Sequence, residues 1–203
     1  MLKRNALIVV SLLLLAACAG GPGAEFSIAQ GPLKPEEMSF ANYGQAQLAA
    51  RVFDVVNQDQ TAESNTGIAG RVQPMPVDVL SAYAASKFHA TGGIFNARFV
   101  IKQASFQVRN VSPPSKSGFF SFMDGGSDRA EMALDITVMV VATRPDGTGA
   151  TINATTSQTQ QAEYSGTPEE HRAIYLGLLT RALQALDGEI SRQLPTYFMG
   201  ITK

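Results

Sequence analysis

Residues 131–143 alternate with a period of two. Met132, Leu134, Ile136, Val138, Val140 and Ala142 share one parity, while Glu131, Ala133, Asp135, Thr137 and Met139 share the other. Successive side chains of a strand point to opposite faces, so this run reads as a long strand with one face in a core and the other largely polar. The next residues narrow the fold further. Arg144-Pro145-Asp146-Gly147-Thr148 has hairpin chemistry, Pro145 presetting φ and Gly147 free to take a left-handed conformation. Residues 150–164 should therefore return antiparallel to the first strand. They are rich in Thr, Asn and Gln on both parities, which suits an edge strand or one with a wet face.

Beyond the hairpin, Thr167-Pro168-Glu169-Glu170 fits a capping box, with Thr167 as N-cap, Pro168 at the first helical position and Glu170 reaching back. Ile174, Leu178, Ala182, Leu186, Ile190 and Leu194 then recur every four residues, Tyr175, Leu179 and Leu183 widen the stripe, and Pro195 is the expected stop. Such a helix is roughly 40 Å long, enough to cross a sheet. Upstream, Arg51-Val-Phe-Asp-Val-Val56 reads as the core of a first strand over residues 48–56. After a polar stretch, Pro76 can open a helix, with Val77, Leu80, Ala84 and Phe88 at intervals of three and four and Thr91-Gly92-Gly93 as a glycine stop. A half-buried strand over residues 99–111 follows, Val100, Ala104, Phe106 and Val108 opposing Gln103, Ser105, Gln107 and Arg109. The expected fold class is α+β: an antiparallel sheet of about four strands in β-α-β-β-β-α order, with both helices packed on one face.

The N-terminus carries a different kind of signal. Lys3 and Arg4 precede an apolar run over residues 6–17, roughly 18 Å as a helix against a hydrocarbon core about 30 Å thick. A basic start, a short apolar stretch and small residues at its end make a signal-peptide profile. The run ends in Leu15-Ala16-Ala17-Cys18, and Cys18 is the sole cysteine of the chain. This tetrapeptide resembles the lipobox of bacterial lipoproteins. The resemblance implies cleavage between Ala17 and Cys18, and a covalent lipid on Cys18 as the membrane anchor. Two or more acyl chains hold a protein stably on a bilayer where one does not. Ala19 in place of Asp after the cysteine implies, by the enterobacterial pattern, sorting to the outer membrane with the domain facing the periplasm.

Residues 1–17 are thus expected as a signal peptide, 18–35 as lipidated cysteine and a Gly/Pro-rich flexible tether, and 36–203 as one globular domain. Cleavage leaves 186 of the 203 residues and lowers Lys+Arg from 16 to 14 against 17 Asp+Glu, a net charge near −3. That balance, with no basic patch or interleaved aromatics, argues against nucleic acid.

Motifs for chemistry are sparse. His89 and His171 are the two histidines, each at the end of an expected helix and outside any metal-ligand spacing, so they read as surface polar residues and no metal or other cofactor is expected. Glu169 and Glu170 belong to the capping box, and Asp124 and Asp128 lack the oxygen alternation of a calcium loop. No nucleophile elbow or phosphate loop is present, so an enzyme is not expected; a hydrolase with a dispersed site is the weakest of the readings. One loop stands out. Phe119, Phe120, Phe122 and Met123 lie between two Gly/Ser/Pro-rich flanks, either covering an open end of the sheet or forming an apolar contact for a partner or the membrane interface.

The order of elements is similar to that of small envelope lipoproteins, namely the auxiliary lipoproteins of ABC-type transport systems and lipopolysaccharide-assembly lipoproteins. The resemblance implies a non-enzymatic, outer-membrane lipoprotein whose periplasmic domain binds a protein partner in envelope transport or assembly. The alternative is a carrier that holds a lipid or other apolar ligand between sheet and helices, behind Met132, Leu134, Ile136 and Val138.

Overall fold

The computed structural model describes residues 26–34, 37–61, 72–111 and 129–202. They form β1 (Ala46–Asn57), α1 (Pro76–Lys87), β2 (Phe88–Asn110), β3 (Arg129–Thr143), β4 (Gly149–Glu163) and α2 (Pro168–Tyr197), the expected β-α-β-β-β-α order. The strands make one sheet in the order β1-β2-β3-β4. Both helices lie on the same face, α1 over β2 and β1 and α2 over β4 and β3.

The alternation that opens the sequence sets the core. Met132, Leu134, Ile136, Val138, Val140 and Ala142 are at most 1% exposed and share one cluster with Leu178, Ala182, Leu186 and Ile190 of α2. β3 and β4 pair antiparallel without a register break from Arg129↔Glu163 to Thr143↔Gly149. Their hairpin closes as expected, with Arg144 N–H donating to Thr148 O at 2.7 Å and Gly147 at φ 84°. Asp146 Oδ1 accepts both from the Thr148 amide and from its hydroxyl, and these bonds hold its carboxyl below the usual range.

Three expectations about the first half of the sheet are corrected. The sheet is mixed, because β1 and β2 run parallel. A helix that leaves one strand and delivers the chain directly into the next is the connection that parallel pairing requires, and α1 ends at Lys87 with β2 beginning at Phe88. The glycines at 92 and 93 do not stop that helix. They lie inside β2 at φ 83° and 151°, where the register with β1 shifts between Leu48 and Ala50. A Cβ on Gly93 would sit 2.0 Å from Ala49 O, so the two backbones touch where no side chain fits. The parity of β2 also changes along its length. Ala97, Phe99 and Ile101 face the core, then a bulge between Ile101 and Gln103 hands the core to Ala104 and Phe106. Asp59, 8% exposed, serves this kink: its Oδ2 accepts from the Ala104 amide at 3.1 Å.

α2 starts at the expected box. Thr167 Oγ1 accepts from the Glu170 amide at 3.2 Å, and Glu170 Oε2 accepts from the Thr167 amide at 2.8 Å. These bonds lower the Glu170 carboxyl pKa. The helix does not stop at Pro195 but runs on to Tyr197, since a proline in the last turn removes only one bond of the ladder. Phe198 N–H closes the end on Leu194 O, and the chain then returns to β1, where Ile201 O accepts from the Ala49 amide at 2.6 Å.

The last part of the expected tether is also corrected. Phe26 and Ile28 are 2% and 4% exposed and belong to the core cluster, so residues 26–34 form a strap bound to the domain. The apolar side chains gain more by burial, about 1.5–3 kcal/mol each, than two residues gain by staying free.

Candidate functional site

Two features of the described residues stand out beside the core, the β4 edge and the strap. On β4 the hairpin bond between Arg144 and Thr148 fixes the phase of the ladder. In an antiparallel pair, directly opposed residues alternate between exchanging both backbone bonds and exchanging none. With this register, even-numbered residues of β4 bond to β3 and odd-numbered ones turn their N–H and C=O away from the sheet. Thr151, Asn153, Thr155, Ser157, Thr159 and Gln161 therefore present a row of outward backbone groups. Within the described residues one of these is taken: Gln193 Nε2 of α2 donates to Asn153 O at 3.0 Å. The side chains of the same six residues stand on the open face, all exposed. From Gly149 to Ala162 the strand carries no charged residue and no proline.

The opposite edge is managed differently. β1 has two register shifts, bears Arg51 and Asp54, and is covered at Leu48 and Ala49 by residues 201–202. Kinks, charges and a covering segment are the usual ways in which a sheet edge is kept from pairing. β4 has none of the first two.

The strap is fixed to the first turns of α2. Arg172, 9% exposed, donates to carbonyls of Ala29, Gly31, Pro32 and Gln73 and forks onto Glu37, with Nη2–Oε2 at 2.9 Å and Nε–Oε1 at 3.1 Å. The guanidinium, with help from the Lys34 amide, pulls the Glu37 carboxyl down to about 2. His171 is 1% exposed. Its ring stacks on Phe26 with centroids 3.9 Å apart, Nδ1 lies 2.6 Å from Ser27 O and Nε2 lies 2.9 Å from Glu163 O. Tyr175 completes the clamp by donating to Pro74 O at 2.6 Å, and burial raises its hydroxyl pKa far above the ordinary value. A groove of about 400 Å³ runs beside the strap, lined by Pro32, Leu33, Pro74, Met75, Val79 and Ala82.

A second buried ion pair ties the helices together. Lys87 Nζ donates to Asp187 Oδ1 at 2.6 Å, Ser191 Oγ and Gly44 O, and Tyr83 donates to the same Asp187 oxygen at 2.8 Å. Every donor of the ammonium is satisfied, as a buried charge requires. The phenol of Tyr83 is pushed well above its usual range by burial first and by Asp187 second.

Of the residues singled out from the sequence, Ala17, Cys18, Phe119, Phe120, Phe122 and Met123 lie outside the described residues. His171 is corrected from a surface residue to a buried one, and His89 is half-buried, its Nε2 3.0 Å from Ser86 O. Stepping back four residues from Tyr175 places His171 on the apolar stripe, a signal that was present. Arg172 and Glu37 gave none, since their pairing spans residues far apart in the chain. No described helix is long and apolar enough to cross a membrane, and the described residues hold no His/Cys/Asp/Glu group suited to a metal ion.

No family model and no curated protein matches this chain. Among solved structures it is similar to a minor lipoprotein from Acinetobacter baumannii, with 11% identity over 72% of this chain and 91% of that one and a TM-score of 0.37. Rare lipoprotein B from Shewanella oneidensis is 10% identical over 72% of this chain and 96% of its own, with a TM-score of 0.35. A DUF330 protein from Xanthomonas campestris is 10% identical over 83% and 91%, with a TM-score of 0.36. At such scores none of them bears on what this chain binds or does.

Proposed function

We propose that this protein is a lipid-anchored, non-enzymatic protein of the bacterial envelope, sorted to the outer membrane, that works by docking an extended protein segment along β4 in transport or assembly. The observation that carries the docking is the row of outward backbone groups on an uncharged strand. A segment that adds to such an edge gains main-chain hydrogen bonds for affinity and alternate side-chain contacts for specificity. The anchor rests on Leu15-Ala16-Ala17-Cys18. Against the carrier reading, Met132, Leu134, Ile136 and Val138 share one buried cluster with apolar residues of α2.

A photo-crosslinking side chain placed at Ser157 in the full-length protein, expressed at native level in cells, tests the docking. Protein adducts should form at Ser157 and be absent or much weaker at Asp54 on the β1 edge. Equal labelling at both positions, or none at either, defeats the reading.

A further inference from the structure

The segment docked on β4 is, we infer, β4 of a second copy of this chain, paired antiparallel about a two-fold axis to make one continuous eight-stranded sheet. This rests on the reading of the β4 edge given above and names the occupant. Three observations point to self-pairing.

First, the strand is uncharged from Gly149 to Ala162. A strand that meets its own copy antiparallel sets each residue near the middle against a residue close to it in sequence, so a central charge would face its like. β4 avoids this in every register centred on its middle. The six outward residues, Thr151, Asn153, Thr155, Ser157, Thr159 and Gln161, would face one another in a row of Thr, Ser, Asn and Gln. Cross-strand Thr–Thr and Thr–Ser pairs are favourable, and β3 and β4 already make one, Thr137 to Thr155 at 3.3 Å.

Second, the outward groups are all on odd-numbered residues, so a two-fold axis pairs odd with odd and each residue of a pair offers both a donor and an acceptor. The same strand is long, straight in register and matched in length to its own copy. An isologous contact needs this self-complementarity.

Third, the helix beside the edge carries charges that fit the same axis. Gln193 of α2 lies over Asn153 and Arg181 over Gln160, where Arg181 Nη2 donates to Gln160 Oε1 at 2.6 Å. An axis at Thr156 or Ser157, between these two contacts, keeps odd residues opposite odd ones and sets the Gln193 end of one edge beside the Arg181 end of the other. It brings Arg181 of each copy toward the Gln193 turn of the other, which holds Glu189, paired among the described residues with Arg192. Pairing displaces one bond, that of Gln193 to Asn153 O, and Gln193 keeps its contact with Glu189.

The test uses two differently tagged full-length copies coexpressed in cells, with the photo-crosslinker at Ser157 of one. Each tag should recover the other from detergent extracts, and irradiation should give an adduct of twice the chain's mass that carries both tags. Thr155→Pro removes an outward N–H and leaves the ladder to β3 intact, and Thr155→Lys sets like charges together near the axis. Each should lower co-recovery by about tenfold or more; circular dichroism of each variant checks that the sheet persists, so that a misfolded Pro variant leaves the Lys variant to decide. Adducts at Ser157 with other proteins only, and no co-recovery of the tags, would overturn self-pairing while keeping β4 as a docking edge. No adduct of any kind would remove both. Co-recovery that neither folded variant weakens would place the self-contact elsewhere and also overturn the inference.

Discussion

Arg172 is the residue on which most depends. Its guanidinium joins the strap, the segment before α1, and Glu37 to one turn of α2, and it does so nearly out of water. Arg172→Ala leaves four carbonyls and a carboxylate without their common donor and should destabilise the fold by about 2–4 kcal/mol, measured as a shift in the urea midpoint. Arg172→Lys should recover less than half of that, because an ammonium lacks the planar fork. The paired carboxylate gives a pH dependence with a definite sign. Glu37 is held near 2 in the folded chain, below its unfolded value, so its contribution is fully present above the ordinary carboxylate range and is lost as pH falls toward 2. Acid unfolding of Glu37→Gln should accordingly show a shallower loss of stability between about pH 4.5 and 2 than the parent; an unchanged slope would mean that Glu37 is not so held. Neither partner was legible as a site in the sequence. A charge pair between residues 37 and 172 has no local period, whereas the capping box of α2, made of neighbours, was read residue by residue.

At the scale of elements the sequence was clearest where a strand keeps one alternation from end to end and least clear where the alternation shifts. β3, β4 and α2 follow their periodicities, and the core positions read from β3 are the core positions found. β2 misled because its parity changes at the Lys102 bulge, so a single alternation over residues 99–111 averages two registers. Its glycines misled for a related reason: next to a helix a Gly-Gly pair looks like a stop, but here it marks close backbone approach to β1. The parallel pairing of β1 and β2 follows from the β-α-β order, whereas the hairpin chemistry further along the chain implies antiparallel neighbours for β3 and β4 alone. Gly93→Ala tests the approach directly. With φ at 151° and Ala49 O in the place of the new Cβ, it should cost about 2–4 kcal/mol and raise hydrogen exchange at the β1–β2 junction. The same change at Gly188, where a Cβ meets nothing, should leave the junction alone and, in a helix, stabilise by up to about 1 kcal/mol.

For the whole molecule, the proposed anchor at Cys18 lies a short way along the chain from the domain. Between Cys18 and Phe26 lie eight peptide units, at most about 29 Å of chain, so a lipid on Cys18, as proposed, would hold the first turns of α2 within that reach of a bilayer. Cys18→Ser should move the protein from the membrane fraction to the soluble one without altering its thermal midpoint. Retention of Cys18→Ser in the membrane fraction would point to a second attachment, for which Phe119, Phe120, Phe122 and Met123 are the first residues to replace.

The strap also decides how the domain carries force. A pull applied N-terminal to Phe26 does not travel along the chain to Ala46 and peel β1 from the sheet one bond at a time. It enters at His171 and Arg172 instead, where several bonds between the strap and α2 are loaded together, and passes into the longest helix of the fold. The first strand therefore sits outside the path by which the load enters, which reaches the sheet at the end of β4 through the His171 contact to Glu163 O.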